Sequence, residues 1–210
     1  MTRALSFCGV ILAAGESSRM GSDKALLPWP PAPAGKTTNR TFLSAAIERL
    51  SSFSDMVIVV AGHNEPKLTP VIYSNGGFVA RNPAPERGQF SSLQIGLQEV
   101  LNHGRDAAIV TLVDRPPAKA ETVEMLRESL MSAAPETWAV VPEYKGKHGH
   151  PILFDRAMIH AFLNAPVAAN AREIEHQHQQ HIAYVAVDDP FVTLNVNTPE
   201  EYAALTTQLG

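Results

Sequence analysis

The chain has 210 residues, a length that suits one domain and can bury roughly 70% of its unfolded surface without covalent staples. Hydrophobic residues at 45% and charged residues at 18% exclude a disordered chain, and a net charge of −4 gives no basic footprint for nucleic acid. A polyanionic ligand must therefore be held by local groups and not by the global field.

Cys8 is the sole cysteine, so no internal disulfide can form, and its apolar surroundings make it a small buried hydrophobe. No run reaches the ~20 apolar residues a membrane helix needs, so a cytoplasmic protein with no membrane partner is expected.

In chain order, residues 5–14 are continuously apolar, as in a strand covered on both faces, and read as the first core strand in preference to a leader. Residues 15–24 form a loop of Gly, Ser and charge. Residues 28–40, with four prolines, read as a mobile surface loop. Residues 41–53 place Leu43, Ala46, Ile47 and Leu50 at helical spacing.

Residues 55–61 are a second buried strand and 78–80 a short third. Ser91 or Ser92 is expected to cap a helix running to Asn102. A strand over 106–113, a helix over 121–131, and strands at 138–141 and 152–154 follow. The pattern closes with a helix over 156–163, a polar helix over 168–180, a strand over 182–187 and a helix from Pro199. Strands alternating with helices imply an α/β fold: a three-layer αβα arrangement, with a Rossmann-like, open, mostly parallel sheet, in one domain spanning 1–210. Ligands in such sheets bind beyond the carboxyl ends of the strands, here residues 13–24, 61–64, 81–92 and 114–117.

The densest signal is Leu12-Ala13-Ala14-Gly15-Glu16-Ser17-Ser18-Arg19-Met20-Gly21-Ser22-Asp23-Lys24. A glycine after a buried strand lets the backbone turn sharply and aim its N–H groups at phosphate oxygens. Arg19 can fork onto such oxygens and Lys24 supplies a point charge. The dinucleotide fingerprint Gly-x-Gly-x-x-Gly is absent, and Lys24 does not follow Gly21 directly, so this is no Walker loop. Taken without its specific string, such a loop is no more than a solvated βα turn.

The string resembles the signature L-A-[AG]-G-x-S-x-R-M-G-x-x-K of the MobA-like nucleotidyltransferases of the molybdenum cofactor, and every defined position is met. The resemblance implies a nucleotide site built from Leu12, Ala13, Ala14, Gly15, Ser18, Arg19 and Lys24, with Arg19, Lys24 and Asp114 as the catalytic set. Asp114, in Val113-Asp114-Arg115-Pro116, ends an apolar strand, and by resemblance it holds Mg²⁺ against the triphosphate. The family usually has a glycine before this aspartate and an uncharged residue after it, where this chain has Val113 and Arg115. Residues 194–202 resemble D-[IV]-D-T-P-E-D-[LY], with Asn195 and Asn197 replacing the aspartates, so Asn197 offers an oxygen without charge.

Asn82, Gly88, Ser91 and Ser92 resemble the segment that reaches the nucleoside, though each serine alone equally suits a plain helix cap. Gly149-His150-Pro151 resembles the cytidylyltransferase branch, which implies CTP as donor, with Ala14 in the loop, and places His150 near the acceptor. Residues 170–172 and 187–190 extend that resemblance over nearly the whole chain. His176, His178 and His181 read as an exposed polar stretch and not as a zinc site.

The resemblance thus implies transfer of a cytidylyl group from CTP to the phosphate of molybdenum-bearing molybdopterin, with a molybdoenzyme or its chaperone as onward partner. Other acceptors, a sugar phosphate or methylerythritol phosphate, stay open. So does a non-catalytic nucleotide-binding chaperone, because a second metal carboxylate is missing.

Overall fold

A computed structural model describes residues 5–15, 22–31, 38–166 and 168–208. Its strands are β1 (Phe7–Leu12), β2 (Met56–Ala61), β3 (Phe78–Arg81), β4 (Ala107–Leu112), β5 (Ala139–Tyr144), β6 (Lys147–His148), β7 (Ile152–Asp155) and β8 (Ile182–Ala186). The helices are α1 (Phe42–Ser51), α2 (Glu65–Ser74), α3 (Gln89–Asn102), α4 (Ala120–Ser132), α5 (Arg156–Leu163), α6 (Ala171–Gln177) and α7 (Pro199–Gln208).

The strands form one sheet in the order β3-β2-β1-β4-β7-β5-β6, with β8 on β5. β3, β2, β1 and β4 pair in parallel, as does β8 with β5, while β7 enters antiparallel to both β4 and β5. The sheet is thus mostly parallel, with helices on both faces.

The unbroken apolar runs follow from that double cover. In β1, Phe7 and Ile11 face one core with Leu43, Ile47 and Leu126, while Cys8, Val10 and Leu12 face the other with Leu97, Met158 and Phe162. β2 and β4 divide in the same way. Gly96 in α3 leaves room for β1, since a Cβ there would lie 2.5 Å from Val10 Cγ1. Cys8 is fully buried, and desolvation pushes its thiol up to about 12.

Three expectations need correction. Gly88, at φ +91°, and not Ser91 or Ser92, occupies the cap position of α3, and both serines lie inside the helix. The proline-rich stretch is not all surface loop. Trp29 is buried edge-to-face on Phe42 at 4.9 Å, within a third apolar cluster that includes Val196 and Leu205; residues 32–37 lie outside the described residues. α2 has no counterpart in the sequence reading, because Glu-Pro-Lys-Leu-Thr-Pro looks like a turn. Pro66 sits in the first turn, where its missing N–H costs nothing, and Pro70 lies within the helix.

Candidate nucleotide and acceptor site

Three chain segments meet beyond the carboxyl ends of β1 and β4. β1 hands Ala13 to the sheet edge, where its N–H bonds Val60 O at 2.9 Å, and then releases the backbone at Ala14 and Gly15. A Cβ on Gly15 would meet none of the described residues within 4 Å. A short 3-10 turn at Lys24–Leu26 returns the chain, capped by Asp23 Oδ1 on Ala25 N at 3.0 Å. β4 ends one residue before Val113, whose N–H bonds Leu12 O at 3.1 Å, and Asp114 follows.

The third segment comes from far along the chain. Val196 N–H bonds Asp114 O at 2.8 Å, which lays residues 194–198 across the site. Thr198 Oγ1 accepts from Glu201 N at 3.3 Å, the expected cap of α7, and Tyr202 OH donates to Pro28 O at 2.8 Å.

Lys24 Nζ consequently lies 2.9 Å from Asn197 Oδ1 and 3.5 Å from Asp114 Oδ2. The Lys24 side chain is 13% exposed, so this pair is less screened than a surface pair. Asp114 Oδ1 is sealed from solvent with no hydrogen-bond partner among the described residues. An orphaned carboxylate oxygen beside an amide oxygen is a donor set that suits a hard cation. Among the described residues no group of three His, Cys, Asp or Glu side chains could hold a metal by itself, so a cation here would lean on ligand oxygens.

Two adjoining cavities open at this edge. The smaller, about 260 Å³, is lined by Ala14, Gly15, Lys24, Gly88, Ser92 and Asp114 among others. The larger, about 980 Å³, shares Leu12, Gly88 and Gln89 with it and runs under β5, β7 and β8. Arg87, Arg115 and Arg172 line the larger cavity, with His148 and His150. Glu175 is also there; burial raises its carboxyl above the usual range, opposed by the Arg172 charge.

His150 opens onto the larger cavity, with its Nδ1 sealed and unpartnered among the described residues. Burial, reinforced by the Arg115 charge, drives its pKa down to about 3, so the ring is neutral in ordinary buffers. Arg115 donates to Val192 O at 2.9 Å, and burial lowers its own pKa against the pull of Asp114. His150 N–H meets the same carbonyl at 2.8 Å, and a Cβ on Gly149 would lie 2.1 Å from it.

The expected residues divide accordingly. Gly15, Lys24, Asp114, Asn197, Gly88 and Ser92 come together, with Leu12, Ala13 and Ala14 at the same edge. Ser18 and Arg19 lie outside the described residues. Asn82 and Ser91 face away from the smaller cavity. Asn82 Nδ2 donates to the hydroxyls of Ser91 and Ser92, each at 2.9 Å, and Ser91 donates to Gly88 O, so they brace the start of α3. Of the histidines of 176–181, His176 is exposed as expected, whereas the His181 ring stacks on Trp138 at 3.8 Å and His178 lies 5.1 Å from it. Arg87 was not singled out from sequence, and only its position beneath Gly88 at the loop after β3 could have suggested it.

Residues 9–182 match the family model described as the MobA-like NTP transferase domain. The chain is 24% identical over 194 residues to the molybdenum cofactor cytidylyltransferase of Escherichia coli, covering 92% of each chain. It is 29% identical over 210 residues to a probable molybdenum cofactor guanylyltransferase of Mycobacterium avium, covering 98% of each. Its fold superposes on the crystal structure of Rv0371c from Mycobacterium tuberculosis with a TM-score of 0.78 at 26% identity, covering 97% of this chain and 98% of that one. With a cavity at the end of its first strand and a family match spanning most of its length, this chain belongs to the MobA-like NTP transferase domain family and is a nucleotidyltransferase.

Proposed function

We propose that the chain is a Mg²⁺-dependent molybdenum cofactor cytidylyltransferase: it moves a cytidylyl group from CTP to the terminal phosphate of molybdenum-bearing molybdopterin. The observation that carries this reading is the meeting of Lys24 and Asp114 on the smaller cavity, with Asn197 bonded to Lys24, next to a larger cavity lined by three arginines. The triphosphate lies over Gly15 and Lys24, and the acceptor phosphate enters from the side of Arg115 and His150. We extend the nucleotidyltransferase domain to all 210 residues, because Asn197 reaches Lys24 from beyond the matched segment. Ala14 in the loop and the Gly149-His150-Pro151 turn favour cytosine as the base.

An acceptor oxygen attacks the α-phosphorus in line; the bond to the bridging oxygen breaks and pyrophosphate leaves with that electron pair. A phosphate monoester has its second pKa near ~6, so the nucleophile arrives ionised and no general base is needed. Lys24, with Arg19 from the same loop, offsets charge that grows on the leaving group. Asp114 and Asn197 would hold Mg²⁺, which supplies further neutralisation of the triphosphate. Arg115 and Arg172 orient the acceptor, and neutral His150 contributes a hydrogen bond without charge. The product's onward partner is a molybdoenzyme or its chaperone.

The test is pyrophosphate release with CTP, GTP and UTP, each offered molybdenum-loaded molybdopterin, a sugar phosphate and methylerythritol phosphate, with and without MgCl₂. Turnover is expected with CTP, the pterin and magnesium together. Faster turnover with GTP overturns the base assignment, turnover with another acceptor overturns the pterin, and undiminished turnover without a divalent ion overturns the metal.

A further inference from the structure

Asn64 occupies the position that caps α2, where an asparagine side chain ordinarily accepts from an amide of the first turn. Here it makes no such bond. Pro66 in that first turn removes one amide that would need a partner, so the helix tolerates the diversion.

The side chain reaches across to the nucleotide loop. Its Nδ2 donates to Ala13 O at 2.9 Å and to Asp23 Oδ2 at 2.7 Å, while Oδ1 accepts from Gly62 N at 3.1 Å. Only an amide supplies two donors and an acceptor in this arrangement, since the partners are a carbonyl, a carboxylate and an N–H. Ala13 and Asp23 stand at the two ends of the loop, and Asp23 Oδ1 caps the turn that carries Lys24. The turn holding Asn64 is pressed against the loop's first limb: a Cβ on Gly62 would lie 2.8 Å from Ala14 O.

We propose that Asn64 is a positioning residue for nucleoside triphosphate binding: its amide ties both ends of the loop to the β2–α2 turn and thereby sets the place of Lys24. This rests on the reading of that loop as the triphosphate seat. Asn64 touches no substrate; it acts through Asp23 and Ala13. A capping asparagine released from capping and spent on the loop is a local stability concession, which is how functional geometry shows itself in an otherwise consistent fold.

The test uses the full chain with Asn64→Ala, Asn64→Asp, and Asn64→Asp combined with Asp23→Asn. Asn64→Asp points a second carboxylate at Asp23, whereas the combination restores one donor–acceptor pair across the same gap. Calorimetric titration with CTP and with GTP, both in MgCl₂, reads nucleotide affinity; steady-state kinetics reads KM for each substrate; thermal melting reads stability.

Both single variants are expected to weaken nucleotide binding about tenfold or more, the scale of one lost hydrogen bond to a charged group. The acceptor KM should stay unchanged, and the combination should recover most of the nucleotide affinity. Asn64→Asp binding nucleotide as well as the parent overturns the proposal. So does an equal loss for both substrates that tracks a fall in melting temperature and is not recovered by the combination, since that is the signature of a plain structural bond. A parent chain that binds neither nucleotide overturns the proposed function, and the tether with it.

Discussion

The two cavities are built by opposite means. The smaller sits on the parallel half of the sheet, where β1 and β4 run side by side and release Gly15 and Asp114 at neighbouring strand ends. Its charges oppose and partner one another: Lys24 faces Asp114 and Asn197. The larger lies under the half where β7 runs antiparallel, and draws its lining from α3, the turn before β7, α6 and β8. Its charge is mostly positive, from Arg87, Arg115 and Arg172, with Glu175 as the counterweight. A site for a triphosphate with a cation needs both signs, whereas a site for a lone anionic acceptor needs only one. On the proposed function, the difference teaches that nucleotide and acceptor would be recognised by opposite halves of the sheet.

The sharpest way to break that division is Lys24→Ala. Asp114 would lose its described ion-pair partner and, on the proposed function, the leaving group a neutralising cation. Turnover should fall on the order of 10²-fold or more, as when one preorganised charge-stabilising group is removed. Asp114→Ala should fall comparably and lose its response to added MgCl₂. Initial rates across a MgCl₂ titration check both. If either variant instead raised only the acceptor KM, the two cavities would not be separate substrate seats.

Gly149→Ala probes the other half. The new Cβ would lie 2.1 Å from Val192 O, a carbonyl that already receives Arg115 and His150 N–H. The strand turn or the 190–193 turn must move, at a cost of about 1–3 kcal/mol for overpacking. Denaturant unfolding reads that cost. The acceptor KM should rise several-fold while nucleotide affinity holds, because no described residue lining the smaller cavity bonds Val192, whose carbonyl receives Arg115 and His150 instead. Nucleotide affinity falling as far as acceptor affinity would show that the halves move together.

What could be read in advance follows the same divide. The half proposed to seat the triphosphate is local in sequence: a glycine after a buried strand, a lysine nine residues on, and an aspartate closing another apolar strand. Periodicity and loop chemistry suffice for these. Asn64 fell in the loop 61–64 with nothing in its own residue type to single it out, and its reach to Ala13 and Asp23 depends on β2 lying beside β1. Trp29 was hidden because four prolines between residues 28 and 33 and the glycine at 35 read as a loop, yet the surrounding backbone folds back through Pro28 and Thr41 to bury the ring on Phe42. α2 was hidden by two prolines that its first turn and exposed face accommodate. Asn197 was legible as a motif position, but only tertiary structure brings it to Lys24. Asn82 and Ser91 show the reverse: the motif is present, and the hydroxyl and amide are consumed in bracing α3.

The smallest expected effect on rate, and the finest probe of the acceptor half, is His150→Gln. With a pKa near 3, the native ring carries no charge across the working range, so no activity limb between pH 5 and 8 should disappear with the variant. Stability should respond instead. The folded-state pKa lies below the unfolded value, so at pH values between the two the unfolded chain binds a proton that the folded chain refuses. His150 therefore penalises the folded state progressively as pH falls from about 6.5 toward about 3, and the penalty is absent above the unfolded pKa. One such proton gives at most about 1.4 kcal/mol per pH unit. Denaturant midpoints for parent and variant at pH 7.5, 6 and 5 measure it: the parent should lose stability relative to His150→Gln on each step down. Parallel curves would mean that the ring charges freely inside the cavity. The acceptor would then meet a fourth positive group there, and the neutral hydrogen bond assigned to His150 would have to be given up.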